Sequence, residues 1–155
     1  MTLGDSVNAL VDAIIDRLDG AKASLGISTV TEGDELPTYI EPGTLYVIPL
    51  IEGKDTMRIA QGDDTGVQHD FPVTLVGYYK ATDIATGLRP TRSYGYAALD
   101  LFVGGSAEVL EGTLEDDSTV LGYVKDTATL EVGYARITDY AVHWFIVKMQ
   151  VTAIL

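Results

Sequence analysis

The stretch that decides the fold is residues 140–155, "YAVHWFIVKMQVTAIL". Side chains along a β-strand alternate between two faces, so an extended run of this kind has two rows. The odd-numbered row, from Ala141 to Leu155, is apolar except for His143 and is expected to face the core. The even-numbered row is apolar in its first half and polar in its second: Tyr140, Val142, Trp144 and Ile146 precede Lys148, Gln150 and Thr152.

The apolar half of the even-numbered row needs a cover. A strand that is apolar on both faces is typical of a position between two layers, and a helix of the same chain or a neighbouring subunit would each supply the second layer. Fully extended, the run reaches about 50 Å, which is long for a small domain and predicts that part of it projects and pairs elsewhere. For the neighbouring-subunit alternative, the predicted interface is Tyr140, Val142, Trp144 and Ile146, with Trp144 and Ile146 as anchors.

Two helices are predicted from apolar spacing. In "DSVNALVDAIIDRLDG", residues 5–20, apolar side chains recur at the spacing of one helical stripe. A second helix is predicted within 89–105, with Pro90 suited to its start and Gly104–Gly105 to its end.

The predicted strands are 44–51, a shorter 55–61, 71–81 and 119–124, followed by a hairpin of 127–137 and 140–155 that turns near Thr138–Asp139. Residues 20–43 predict an irregular connection, and 62–70 and 111–118 predict polar loops. Together these patterns predict a single α+β domain spanning residues 1–155. Its mixed, mostly antiparallel sheet carries two packed helices, beginning with the N-terminal helix and ending with the C-terminal β-hairpin.

Composition narrows the function classes. The 155 residues include 23 acids and 10 bases, for a net charge of −13, so the surface repels phosphate and a nucleic-acid-gripping role is disfavoured. The chain has no cysteine, which suits a reducing cytoplasm and excludes a disulfide framework. We expect no secretory leader, because the N-terminus has no basic start or apolar run, and no membrane span.

Few residues point to chemistry. His143 is expected to be a satisfied core or interface histidine, and His69 a surface residue in the 62–70 loop; the two do not predict a zinc site. Asp64-Thr65-Gly66 is the tripeptide of aspartic proteases, but it lies in a predicted loop where a turn is favoured. We therefore predict no enzyme activity, no metal and no cofactor. Whether the acidic loops 62–70 and 111–118 bind a divalent cation stays open.

The order of elements resembles the tail terminator proteins of long-tailed bacteriophages. The resemblance is carried by "SVNALVDAIIDRL", "LYVIPLI", "FPVTLVGYY", a mid-chain helix and the closing "YARITDYAVHWFIVKMQV". It implies a virion protein, assembled in the host bacterial cytoplasm, whose copies form a ring, expected to be a hexamer. Such a ring caps the tail tube and joins it to the head. Its implied partners are therefore itself and the tail tube and head-closure proteins, with DNA passing through without specific binding.

Other functions compete with the terminator role. Within the same class, the chain would be a tail tube or head-closure subunit. From another class, it would be a small ligand-binding α+β domain with a tyrosine-lined cavity, expected as a monomer or dimer. A hydrolase that uses the acidic loop around Asp64 and Asp70 is the third alternative.

Overall fold

The computed structural model describes residues 3–27, 29–32, 43–48, 56–59, 67–81, 83–103, 108–125, 128–137 and 140–154. The helices are α1 (Leu3–Gly20), α2 (Lys22–Leu25) and α3 (Ile84–Asp100). The strands are β1 (Thr29–Glu32), β2 (Thr44–Ile48), β3 (Thr56–Ile59), β4 (Val67–Ala81), β5 (Glu108–Thr113), β6 (Thr119–Val124), β7 (Thr129–Ile137) and β8 (Tyr140–Ile154). The α+β prediction is confirmed, and among the described strands β1 and β2 pair in parallel while the other pairs are antiparallel.

The long strands β4 and β8 form the centre of the sheet. They pair antiparallel in one unbroken register from Gln68↔Ile154 to Ala81↔Ala141. The strand order is β1-β2-β4-β8-β6-β5, with β3 also on β4 and β7 also on β8. The expectation that part of the last strand projects from the body is therefore wrong for residues 141–154, because β4 pairs with it along that whole length.

The odd-numbered row of β8 faces the core, as predicted. From Ala141 to Ala153 its seven side chains are buried, and they face the same layer as Phe71, Val73 and Leu75 of β4. Leu10, Ile14 and Leu18 of α1 lie in the same cluster, each fully shielded from solvent. The apolar stripe of α1 thus closes the core that the alternating pattern of β8 begins.

Helix α3 approaches the sheet closely because it carries glycine at the contact. A Cβ on Gly87 would lie 2.1 Å from the imidazole of His143, so a larger residue would force the helix and β8 apart. The Thr91 hydroxyl, one turn further on and also buried, donates to the Gly87 carbonyl at 2.7 Å. This glycine is what allows α3 to cover the first half of β8.

The second helix begins earlier than the sequence predicted. It starts at Ile84, because the Asp83 carboxylate accepts a hydrogen bond from the Thr86 backbone N–H at 2.8 Å and caps the free amides. Pro90 therefore lies inside α3 instead of opening it. The helix ends at Asp100, before the predicted stop at Gly104–Gly105, which lies outside the described residues.

Three loop predictions were partly wrong. Within 20–43, the short α2 and β1 add regular structure, and β1 pairs with β2. β5 runs through the first part of the 111–118 segment because it pairs with β6 down to Thr113↔Thr119. β4 begins at Val67, four residues before the predicted start. The predicted strands 44–51 and 55–61 are confirmed as β2 and β3, and their remaining residues, like Thr138–Asp139, lie outside the described ranges.

Candidate subunit interface

The even-numbered side of β4 and β8 carries three of the four predicted interface residues. We call the apolar part of this side the outer face and define it by Tyr46 on β2, Val76 and Tyr78 on β4, and Val142, Trp144 and Ile146 on β8. Register makes it continuous: Tyr78 lies opposite Trp144, Val76 opposite Ile146, and Tyr46 opposite Val76. Helix α3 contacts the other side of β8, through His143 and Phe145, and no described helix covers the outer face.

Of the four predicted interface residues, the structure brings three together on the outer face. Val142 is 5 % exposed, while Trp144 and Ile146 are half-buried. Tyr140 begins β8 opposite Ile137, but its side chain lies outside the described part of the chain. The alternative in which the protein's own helix covers Trp144 and Ile146 is wrong for the described helices, because α1 and α3 pack on the opposite side.

Aromatic packing organises the outer face. The rings of Tyr46 and Tyr78 meet edge to face, with centroids 6.0 Å apart and an interplanar angle of 68°. The indole of Trp144 contacts Gly133 of β7, where an added Cβ would lie 2.5 Å from the ring. The pKa of the Tyr78 hydroxyl is raised above its ordinary value, mainly because the group is partly buried and also because the Tyr46 hydroxyl is nearby. The aromatic side chains of the outer face therefore pack against neighbours within the same subunit.

The polar end of the same side contains an ion pair in which the carboxylate is buried and the lysine is partly exposed. Asp70 is 2 % exposed, and its carboxylate accepts hydrogen bonds from Thr152 Oγ1 at 2.6 Å and Lys125 Nζ at 3.2 Å. The prediction that Asp70 and His69 lie in a surface loop is wrong. β4 extends through both residues, and His69 is buried on the core side opposite Ala153. The carboxylate of Asp70 is occupied in joining β4, β8 and the residue after β6.

His143 is fully buried between α3 and β7, which confirms that it is a core residue. Its Nε2 lies 2.9 Å from the Ile84 carbonyl oxygen, and its ring lies 5.8 Å from that of Tyr134. The prediction that its hydrogen-bonding groups are satisfied holds for Nε2 but not for Nδ1, which has no hydrogen-bond partner among the described residues.

An acidic groove lies between α1 and the turn that joins β5 to β6. Its volume is about 440 Å³, and its lining is mostly polar: Asp5, Asn8, Ala9, Asp12, Thr113, Leu114, Glu115 and Asp116. Hydrogen bonds from Ser118 lower the pKa of the Asp116 carboxyl. Within the described ranges, no three histidine or acidic side chains are arranged to hold a metal ion. Asp64-Thr65-Gly66 lies outside those ranges.

Sequence reasoning missed the large apolar side chains that are most exposed. Among the described residues these are Tyr96, Val109, Leu121, Val132 and Tyr134, each at least 36 % exposed. Val109 and Leu121 were missed because 111–118 was interpreted as a loop, which hid the β5–β6 hairpin. In "LEVGY", residues 130–134, the alternation of apolar with acidic or small residues was the available signal for Val132 and Tyr134.

Comparison with solved structures finds 14 similar chains. No family model matches the chain, and no curated protein matches it. A chain from a solved structure described as the virion of a native gene transfer agent particle is similar over 94 % of this chain and 96 % of that one. The identity is 16 % and the TM-score is 0.48, values too low to show a function. Among the described helices, none is both long and apolar enough to cross a membrane.

Proposed function

We propose that the protein is a virion structural protein of the tail terminator type, a subunit of a homo-oligomeric ring that caps the tail tube and joins it to the head. The observation that carries this proposal is the outer face, an apolar and aromatic patch centred on Trp144 that no described helix covers. The resemblance in element order supplies the specific role.

The degree of burial on the outer face suits a surface that a partner completes. Val76 and Val142 are already closed off by their neighbours, whereas Trp144 and Ile146 keep part of their surface in water. Exposed apolar patches on soluble proteins commonly mark interaction sites, and tryptophan is enriched among the residues that dominate binding energy. Glu131, opposite Ile146 on β7, places a carboxylate at the rim, where it stays hydrated.

The charge of the chain is consistent with a ring through which DNA passes. A net charge of −13 repels the phosphate backbone, so DNA would slide past such subunits without adhering. Exposed carboxylates are dense on α1 and in the turn between β5 and β6, including Asp12, Asp16, Glu115 and Asp117. We propose that part of this acidic surface borders the lumen.

The competing ligand-binding function has weaker support. It requires a cavity lined by tyrosines, whereas the groove of about 440 Å³ is lined by acidic and other polar residues together with Ala9 and Leu114, and by no tyrosine. Tyr46 and Tyr78 lie on an open sheet face, and Tyr79 packs against Tyr94 of α3 with ring centroids 5.8 Å apart. A tail tube or head-closure subunit would use the same outer face, so imaging must separate these roles.

The first test is the assembly state of the purified protein. Light scattering across a wide concentration range, with and without magnesium, should show a defined oligomer. Negative-stain images of that species should show closed rings with a central hole wide enough for DNA. Stacked tubes would favour the tail tube alternative. A chain that stays monomeric or dimeric at every concentration, with or without isolated tail tubes, would contradict the proposal.

A pair of variants ties that assembly to the outer face. Trp144→Ala should lower the oligomer fraction by about tenfold or more, because a central aromatic anchor is lost. Gln150→Ala is the matched control, since Gln150 is half-buried further along the same side of β8. Circular dichroism on both variants establishes that the monomers remain folded. If Trp144→Ala assembled as well as wild type, the outer face would not be part of the subunit interface.

A further inference from the structure

The exposed apolar side chains fall into two patches, one on α3 and β7 and the other on the β5–β6 hairpin. The shoulder patch consists of Arg89, Arg92 and Tyr96 on α3 with Val132 and Tyr134 on β7. The hairpin patch consists of Val109 and Glu111 on β5 and Leu121 on β6, together with Glu115 and Asp116 in the turn. All five exposed large apolar residues of the described chain belong to one patch or the other.

The two parts of the shoulder patch are on neighbouring elements, because β7 runs alongside α3. Gly95 of α3 contacts Leu130, while Gly87, two turns earlier, contacts the His143 ring that lies beside Tyr134. Arg92 and Tyr96 are one helical turn apart and therefore neighbours on the helix surface. Tyr96 is 54 % exposed and Tyr134 47 % exposed, so the helix and the strand together present aromatic surface to solvent.

The shoulder patch is also positively charged. Arg89 and Arg92 are exposed, and neither has a hydrogen bond or ion pair with another described residue. From Ile84 to Leu99 the helix carries no acidic residue. In a chain with 23 acids and 10 bases, a free pair of arginines beside exposed tyrosines is a distinct local surface. Arginine and tyrosine are the residue types that protein interfaces favour.

The hairpin patch has the complementary chemistry. Val109 and Leu121 are 44 % and 43 % exposed and lie diagonally across β5 and β6 on the side away from α1. Glu111 lies directly opposite Leu121, and Glu115 and Asp116 follow in the turn. The hairpin therefore offers aliphatic surface bordered by carboxylates, where the shoulder offers aromatic surface bordered by guanidinium groups.

We propose that the shoulder patch of one copy binds the hairpin patch of the next copy. Arg89 and Arg92 pair with carboxylates of the hairpin, while Tyr96 and Tyr134 cover Val109 and Leu121. The partner is a second copy because each patch supplies the charge and the type of apolar surface that the other lacks. The acidic surfaces elsewhere on two copies repel each other, which disfavours other contacts between them. This contact deepens the proposed function, on which it rests, by assigning the two unlike surfaces of a ring joint.

A joint between two different patches has a geometric consequence. It is heterologous, so each bound copy leaves a free shoulder at one end and a free hairpin at the other. Successive copies close into a ring when the rotation between them divides a full turn, and otherwise continue as a filament. The outer face of β4 and β8, the proposed subunit interface, adds its own contact to this joint.

Charge reversal tests the joint directly. The shoulder variant carries Arg89→Glu and Arg92→Glu, and the hairpin variant carries Glu111→Arg and Glu115→Arg; all four positions are exposed, so the subunits should remain folded. Each variant alone should have a dissociation constant about tenfold or more above wild type, measured by light scattering. An equimolar mixture of the two, and a chain with all four substitutions, should regain most of the wild-type association. Added salt should weaken the wild-type joint.

The outcomes separate this joint from the ring itself. If wild type assembles and each variant assembles equally well, the shoulder–hairpin joint is wrong and the ring proposal stands. If each variant is impaired but the mixture is not restored, the two patches do not bind each other and the proposal is likewise overturned. A wild-type chain that stays monomeric throughout contradicts the proposed function before the variants are compared.

Discussion

The two sides of the β4–β8 pair are built from the same two strands, but the described helices cover only one side. On the core side, α1 and α3 cover the sheet, and Phe71, Val73 and Leu75 are at most 1 % exposed. On the outer side, the neighbouring rows hold Trp144 and Ile146, which are apolar but remain half-buried. The difference teaches that apolar content alone does not place a residue in the core. What decides is whether the chain itself supplies a second layer.

The largest expected effect compares the two sides at neighbouring positions. Leu75→Ala should lower the free energy of unfolding by about 3 kcal/mol, because it leaves a cavity in a fully buried layer. Ile146→Ala, on the outer face, should lower it by about 1 kcal/mol in the isolated subunit, because half of that side chain already contacts water. Urea denaturation of both variants at low protein concentration measures the contrast. Equal losses would mean that the monomer already covers its outer face.

A second prediction sharpens the account of the covered side. Gly87→Ala should lower the free energy of unfolding by about 2 kcal/mol, since the new methyl overlaps the buried His143 ring and forces α3 away from β8. Gly20→Ala at the end of α1 is the control, because nothing lies within 4 Å of its added Cβ. Thermal denaturation, monitored by circular dichroism, measures the stability difference between the two variants. A neutral Gly87→Ala would show that α3 is not held in close contact with β8.

A third prediction concerns the polar end of the outer side. Asp70→Asn should lower the free energy of unfolding by about 1–2 kcal/mol, because the charge-assisted bonds from Lys125 and Thr152 weaken in a buried site. Asp12→Asn, at an exposed position of α1, should have no comparable effect. Chemical denaturation of the pair measures the difference. If Asp70→Asn were as harmless as Asp12→Asn, the carboxylate would be available for another task, as the hydrolase alternative requires.

The smallest expected effect is at the start of α3. Hydrogen bonds from Thr86 lower the pKa of the Asp83 carboxyl, so its stabilising contribution is present above the ordinary carboxyl pKa and is lost as pH falls through the lowered value. At neutral pH, Asp83→Ala should lower the melting temperature by roughly 2–4 °C. Its difference from wild type should shrink in strong acid. Asp83→Asn, which caps without a titrating group, should show a smaller loss at neutral pH, and a pH-independent loss for Asp83→Ala would contradict the capping role.

The parts of the fold that the sequence predicted are those with a strong period. The stripe of α1 and the alternation of β8 each extend over many residues, so α1, the closing hairpin and the core row were predicted correctly. The start of α3 was missed because Pro90 is a common first helical residue, and the cap at Asp83 has no apolar period around it. β5 was missed because Glu108, Glu111 and Gly112 resemble a loop until β6 is known to pair with them.

The candidate interface was predictable only in part. The even-numbered row showed that Val142, Trp144 and Ile146 share a face, but the sequence left open whether a helix or a subunit covers them. The answer depends on which side of the sheet α1 and α3 pack against. A glycine such as Gly87 indicates a close helix–strand contact only when the strand it faces is known. The shoulder patch combines α3 with β7, which are distant in the sequence, so no local pattern reveals it.

Trp144 is the single tryptophan of the chain, so its fluorescence reports on the outer face alone. The most direct measurement is acrylamide quenching of this fluorescence as protein concentration rises through the range in which light scattering detects assembly. The account predicts moderate quenching and a red-shifted emission for the dilute subunit, then a blue shift and a severalfold fall in the quenching constant on assembly. Assembly without any change in Trp144 emission or quenching would contradict the claim that the outer face is a subunit interface.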